Sequence, residues 1–293
     1  QMTLVNVLII GAGRSGTTSI AAYFAAHPEV SSSITKELHY FSIADLYKRG
    51  ESYFHSLFPN ETKKITTTAD TYLLMDHAAP EKVKAYNPNM KIIIMLRDPI
   101  SRSYSNYNYS VNFGHEKKEN TFLSTIDLEK ERLNTLDIVD VNNTCHLYGS
   151  LYHKHISIWN KYFDASQLVI LKLNDLKNNP EAFYRNLCNR LDINYVPFEE
   201  ANKEFNAASG AKSIWLQQFL LNRNNPIRKT ISFILRPFRK LVIKSGIIDK
   251  VYSMNKKQVE IKPLTAHEID VAKKYFKDDL TLLEKDYGIS FEN

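Results

Sequence analysis

The chain has 293 residues, is 43% hydrophobic and 24% charged, and contains nine glycines and ten prolines, which is the make-up of a globular domain with a sizeable core and excludes a low-complexity chain. Its formal charge of +6 suits an anionic ligand without naming one. Two cysteines, Cys145 and Cys188, without short spacing exclude a disulfide framework and a zinc ribbon, and no apolar run reaches the length of a membrane span.

In chain order, the apolar run Val7–Ile10 predicts a buried strand, followed by a glycine turn and a helix over Thr17–Ala26 that stops at His27-Pro28. A strand, a tight turn and a helix start form an anion site, because unpaired backbone N–H groups and the positive helix end converge there. Three phosphate loops fit VLIIGAGRSGTTSI, residues 7–20. Gly11, Gly13 and Gly16 have the spacing of a dinucleotide fingerprint, while Gly11 and Gly16 have the outer spacing of a nucleoside-triphosphate loop with Thr17 in place of its lysine. A phosphosulfate loop would carry a basic side chain inside the turn, here Arg14.

Val30–Ile34 predicts a second strand ending at Lys36-Glu37-Leu38-His39, Ala78–Ala85 a helix, and Lys91–Leu96 (KIIIML) a strongly apolar strand. Ser101–Ser110 follows as a helix with Pro99 near its first turn, and residues 112–147 read as loop excursions. Leu151–Phe163 has helical spacing, Leu168–Leu173 is a strand, Pro180–Leu191 a helix, and residues 263–286 a closing amphipathic helix. Buried strands alternating with helices predict an α/β fold: a P-loop-like, mainly parallel central sheet flanked by helices, with a more helical C-terminal part, in a single domain over 1–293. Residues 226–262 hold ten Lys or Arg against two acidic residues. This basic helical subregion reads as a solvated face, an acidic-polymer surface or a contact with lipid head groups.

A dinucleotide fold places a carboxylate about 20 residues past its glycines. Glu37 stands near that distance, but Lys36 and His39 make a basic setting for a ribose-binding acid. RDPISRSYSNY, residues 97–107, weighs against that fold. It starts where the KIIIML strand ends and carries Arg97, Ser101, Arg102, Ser103 and Ser105, a second set of groups suited to phosphate. Helix capping by Asp98 and the serines would account for the same residues without a ligand.

With these blocks in order, the sequence resembles the sulfotransferases that use 3′-phosphoadenosine-5′-phosphosulfate (PAPS), most of all the heparan-type and bacterial glycan enzymes. GAGRSGTT (11–18) resembles the 5′-phosphosulfate loop, TKELHYF (35–41) the lysine-glutamate-x-histidine-phenylalanine block, and RDPISRSYS (97–105) the 3′-phosphate motif. GSLYHKHISIW (149–159) is similar to the glycine-tyrosine-histidine-tryptophan helix of the same group. The resemblance implies PAPS as cosubstrate, held at its 5′ end by Arg14, Ser15, Gly16, Thr17 and Thr18 and at its 3′-phosphate by Arg97 and Ser105. Lys212 of ASGAKS (208–213) would close over it. No metal is implied, and the sequence shows no His/Cys/Asp cluster that would hold one.

Arg14 stands where many members have a catalytic lysine; as a permanent cation it would bond the sulfuryl group and the bridging oxygen without giving up a proton. Glu37 is the expected general base for an acceptor hydroxyl, with Lys36 near the sulfuryl oxygens, His39 orienting Glu37 or touching the acceptor, and Asp70 as an acceptor contact. The implied acceptor is a carbohydrate hydroxyl on a polysaccharide, oligosaccharide or glycolipid, an acidic one if 226–262 binds it; no nucleic-acid motif appears. The expected setting is the bacterial cytoplasm, peripheral to the membrane through 226–262, or the Golgi lumen if the chain is a truncated secretory enzyme. Two other classes stay open at this level: an NAD(P)-dependent oxidoreductase, and a non-catalytic binder of anionic glycans.

Overall fold

The computed structural model describes residues 4–198, 209–213 and 254–291. Its core is a five-stranded sheet of β1 (Val7–Gly11), β2 (Val30–Ser32), β3 (Ile65–Ala69), β4 (Lys91–Leu96) and β5 (Leu168–Lys172), in the order β2-β3-β1-β4-β5. Every pairing is parallel. Strands β1 and β3 are buried throughout and β4 from Ile92 onward, as helices on both faces of a parallel sheet require. Because side chains alternate, Leu8, Ile10, Ile92 and Ile94 pack on one face with Trp159 and Phe163, while Val7, Ile9, Ile93 and Met95 pack on the other with Phe24 and Phe183.

Helices α1 (Thr17–Ala26), α4 (Ala79–Tyr86), α5 (Pro99–Phe113), α8 (Tyr152–Trp159) and α10 (Pro180–Leu191) connect or flank the strands, and the short α2 (Ala44–Tyr47) and α3 (Gly50–His55) lie between β2 and β3. Helix α9 (Leu173–Asn178) starts directly from β5, so the predicted strand ends at Lys172. The closing helix α11 (Ala266–Tyr287) begins with a full capping box between Thr265 and Glu268. A two-stranded antiparallel ribbon joins β6 (Ser209–Ala211) to β7 (Lys256–Gln258).

Three departures from the sequence reading have physical causes. Strand β3 is centred on Thr66, Thr67 and Thr68, which supply β-branched shape without an apolar run. Residues 112–147 are not loop excursions: they form α6 (Phe122–Thr135), capped by Thr121, and α7 (Ile138–Thr144), capped by Asp137. The buried face of α6 is Phe122, Thr125 and Glu129, mostly polar, which erases its apolar periodicity. Third, the strand order differs from the dinucleotide order, in which the second strand lies beside the first. Here β3 stands between β1 and β2, which removes the frame on which Gly11, Gly13 and Gly16 would serve as a dinucleotide fingerprint.

The order also locates a ligand site. Strand β1 is flanked by β3 on one side and β4 on the other, so the chain reverses its direction across the sheet there, and the crevice outside the carboxyl ends of such strands is where ligands bind. Most of the basic stretch, residues 226–253, lies outside the described residues. Among the described residues no helix is long and apolar enough to cross a membrane.

Candidate functional site

The turn after β1 closes on Gly16, which caps α1 with φ 88°. A Cβ there would stand 2.7 Å from Leu173 Cδ1, the end of a flexible side chain that can shift, so it is the left-handed backbone that demands glycine. The first helical bond runs from the Ser19 amide to the Gly16 carbonyl at 3.0 Å, and the start of α1 carries the positive end of the helix dipole, which favours an anion. Ser15 is fully buried. The Thr17 and Thr18 hydroxyls accept hydrogen bonds from Lys36 Nζ at 3.2 and 3.1 Å.

The loop after β4 meets this turn from the neighbouring strand. Asp98 accepts the Ser101 amide at 2.7 Å and starts α5. Ser105 on α5 then lies 3.3 Å from Arg14 Nε, and Arg97 Nη1 donates to the Arg14 carbonyl at 3.4 Å. Tyr152 of α8 fixes the Arg97 carbonyl through its hydroxyl at 2.8 Å. Burial pulls both guanidinium groups below the ordinary arginine range, and the charge of Arg97 adds to the effect on Arg14. Two cations held together in partial burial make this part of the crevice favourable to an anion.

Arg102 and Ser103, grouped with the phosphate residues in the sequence reading, serve another purpose. Arg102 is 1% exposed and donates to the Gly13 carbonyl at 3.0 Å, the His146 carbonyl at 3.0 Å and Ser150 Oγ at 3.3 Å. A Cβ on Gly149 would collide with Arg102 Nη1. Ser103 donates to the Pro99 carbonyl and Ser150 Oγ. They build the wall that holds the loop, and the residues of this segment that reach Arg14 are Arg97 and Ser105.

Between β2 and α2 the chain returns to the same crevice. Glu37 and His39 both take left-handed backbone, φ 59° and 55°, a conformation that costs energy for such residues and marks a site fixed by its surroundings. The Glu37 amide bonds the Ala69 carbonyl at the end of β3; its carboxylate accepts the Thr71 amide at 2.8 Å and the Thr71 hydroxyl at 3.2 Å. Lys36 Nζ lies 3.3 Å from Glu37 Oε1, so one ammonium ties the carboxylate to the Thr17 and Thr18 hydroxyls. Asp70 receives Ser42 Oγ at 2.8 Å and pairs with His39 Nδ1 at 3.0 Å, and the His39 ring stacks on Tyr72 at 4.3 Å. Thr71 and Lys36, rather than His39, hold Glu37 in place.

Glu37, His39 and Asp70 each bring a ligand-type atom within 4.8 Å of the others, a grouping that the sequence reading did not contain. The return of the chain from β2 to the end of β3 creates the cluster, and sequence spacing hides it. Its atoms already have protein partners, and Lys36 supplies the cation beside Glu37. Lys212 is exposed just after β6, whose Gly210 packs against Asn112 of α5. Thr71, Ser42 and Tyr72 are site residues that no motif pointed to; standing beside Asp70 in TADTYLL is the one sequence signal that Thr71 and Tyr72 carry.

Residues 5–209 match the family model of the sulfotransferase domain. Similar curated proteins include bifunctional heparan sulfate N-deacetylase/N-sulfotransferase 1 of Caenorhabditis briggsae, 28% identical over 207 residues that make up 68% of this chain and 24% of that protein. Heparan sulfate glucosamine 3-O-sulfotransferase 5 of Mus musculus is 27% identical over 180 residues, 60% of this chain and 50% of that protein. The aligned part of the chain thus spans from about a quarter to half of the length of these relatives. Among solved structures, a sulfotransferase from Alicyclobacillus acidocaldarius aligns with a TM-score of 0.68 over 99% of this chain and 98% of that one at 18% identity, a likeness of fold.

Proposed function

The chain belongs to the sulfotransferase-domain family, and from that premise we propose that it transfers a sulfuryl group from PAPS to a hydroxyl of a carbohydrate acceptor. What carries the proposal is the joining of two anion loops at Arg14, beside a carboxylate that Lys36 ties to the first of them. The residues fit a nucleotide with phosphate at both ends. The first-turn amides of α1 and the Thr17 and Thr18 hydroxyls suit the 5′ end; Arg97 and Ser105 suit the 3′-phosphate. PAPS supplies the activated sulfuryl group, and the protein supplies position and charge.

Glu37 takes the proton of the acceptor hydroxyl as its oxygen attacks sulfur, because a neutral sugar hydroxyl is a poor nucleophile. Thr71 keeps the carboxylate aimed, leaving the charged form with fixed hydrogen-bond donors. Arg14 and Lys36 meet the negative charge that moves toward the departing oxygen, an interaction stronger in the transition state than before it. His39 and Asp70 form the neighbouring wall on which the acceptor rests. A glycan acceptor is supported by the heparan sulfate in the names of the relatives.

The test is radiolabelled transfer from PAPS to desulfated heparan sulfate by the wild type and by Glu37→Gln. The expected loss in kcat is about 100-fold or more, with affinity for adenosine 3′,5′-bisphosphate (PAP) held within about threefold. Equal loss of turnover and of PAP affinity would contradict the base assignment.

A further inference from the structure

Arg14 has contacts that neither a loop motif nor a phosphate site requires. Its Nε donates to Ser105 Oγ at 3.3 Å, and its guanidinium carbon lies 4.9 Å from the centre of the Tyr109 ring. Ser105 and Tyr109 stand one helical turn apart on the same face of α5, so one helix grips the group by an edge and by a face. The Tyr109 ring is itself backed by Phe113, with ring centres 4.5 Å apart, and by His115 at 6.2 Å. Phe113 is buried and anchors the stack to the body of the domain. None of the hydrogen bonds among the described residues uses Arg14 Nη1 or Nη2, which leaves the paired donors at the far end of the fork to meet an anion.

A planar guanidinium has an orientation to be fixed, where an ammonium is a point charge with none. Arginine also carries a long side chain whose rotamer freedom must be frozen before its donors point at one place. An aromatic face supplies that restraint and attracts the cation without competing for its hydrogen-bond donors. We propose that Tyr109 is a positioning residue for sulfuryl transfer, acting through Arg14 by fixing the plane of its guanidinium. The inference rests on the proposed role of Arg14 in that reaction. It predicts an effect on the rate of the bound complex rather than on nucleotide affinity, since Tyr109 does not itself face the phosphates in this account.

The experiment compares wild type, Tyr109→Leu, Tyr109→Phe, Arg14→Met and the Arg14→Met/Tyr109→Leu double variant. Single-turnover transfer from saturating PAPS to desulfated heparan sulfate gives the rate. Transfer to water gives an acceptor-free readout: the sulfur–bridging-oxygen bond breaks, a water oxygen bonds to sulfur, and PAP, sulfate and a proton are released. PAP affinity is measured by calorimetry and folding by thermal melting. Tyr109→Leu is expected to slow transfer about tenfold with PAP affinity within about twofold, and Tyr109→Phe, which keeps the ring, restores most of the rate. Added to Arg14→Met, Tyr109→Leu slows transfer no further. An unchanged rate in Tyr109→Leu, or the same loss with and without Arg14, overturns the inference while leaving the family reaction intact. A wild type that binds neither PAP nor PAPS overturns the functional proposal first and this inference with it.

Discussion

Replacing Arg102 by Met tests whether the nucleotide loop is held from behind. The side chain is fully enclosed and donates to two carbonyls, of Gly13 and His146, at 3.0 Å each and to Ser150 Oγ at 3.3 Å. Hydrogen bonds from a charged donor contribute about 1.5–3 kcal/mol apiece, so the two carbonyl bonds alone are worth roughly 3–6 kcal/mol. Met fills much of the volume and removes the cost of keeping a cation out of water, which offsets part of that sum. A net loss of about 3 kcal/mol is expected, or a fall in melting temperature of roughly 6–12 °C at the scaling for domains of this size. Scanning calorimetry measures it, and titration with PAP in parallel should show weakened binding because the Gly13 carbonyl has lost its tether. A melting temperature within about 2 °C of wild type, with PAP affinity unchanged, would refute the bracing role.

The other predictions follow from single contacts. Gly16→Ala puts a side chain into left-handed backbone and against Leu173; melting should show a loss of about 1–2 kcal/mol, and PAP titration a clear drop in affinity as the first-turn amides shift. Thr71→Val removes one hydroxyl donor from Glu37 and keeps the backbone one, so kcat should fall about fivefold with little change in KM for PAPS. Burial pushes the Glu129 carboxyl up to about 7, against bonds from the Tyr148 and Leu147 amides that lower it. A raised carboxyl binds its proton more tightly in the folded protein, so this contribution to stability is present below the ordinary carboxylate range and lost as pH rises through about 7. The melting temperature of the wild type should therefore fall relative to Glu129→Gln between about pH 5 and pH 8; parallel curves would contradict it.

Much of this arrangement was legible in the sequence, and what was hidden has a pattern. Strands β1, β4 and β5 are apolar runs, and the loops carrying Arg14 and Arg97 follow β1 and β4 directly, so their places in the fold were legible, while the choice of Arg97 and Ser105 within RDPISRSYS came from the family resemblance. Strand β3 and helix α6 were not, because threonines and a buried glutamate occupy the positions that periodicity searches for apolar residues. The role of Arg102 could not be read either: a basic residue in a phosphate motif looks like a ligand until the His146 carbonyl and the Ser150 hydroxyl, brought by the chain after α7, come into view. The Glu37–His39–Asp70 cluster depends on β2 pairing with β3, a fact of strand order that no local pattern encodes.

The claim on which the rest depends is that the loops after β1 and β4 hold the two ends of one nucleotide. Calorimetric titration of the protein with PAP, with NADH and ATP run beside it, tests this most directly. The account predicts selective binding of PAP that falls about 100-fold or more in Arg97→Ala, which removes a charge-assisted contact to the 3′-phosphate. Preference for NADH or ATP, or PAP binding indifferent to Arg97, would contradict it.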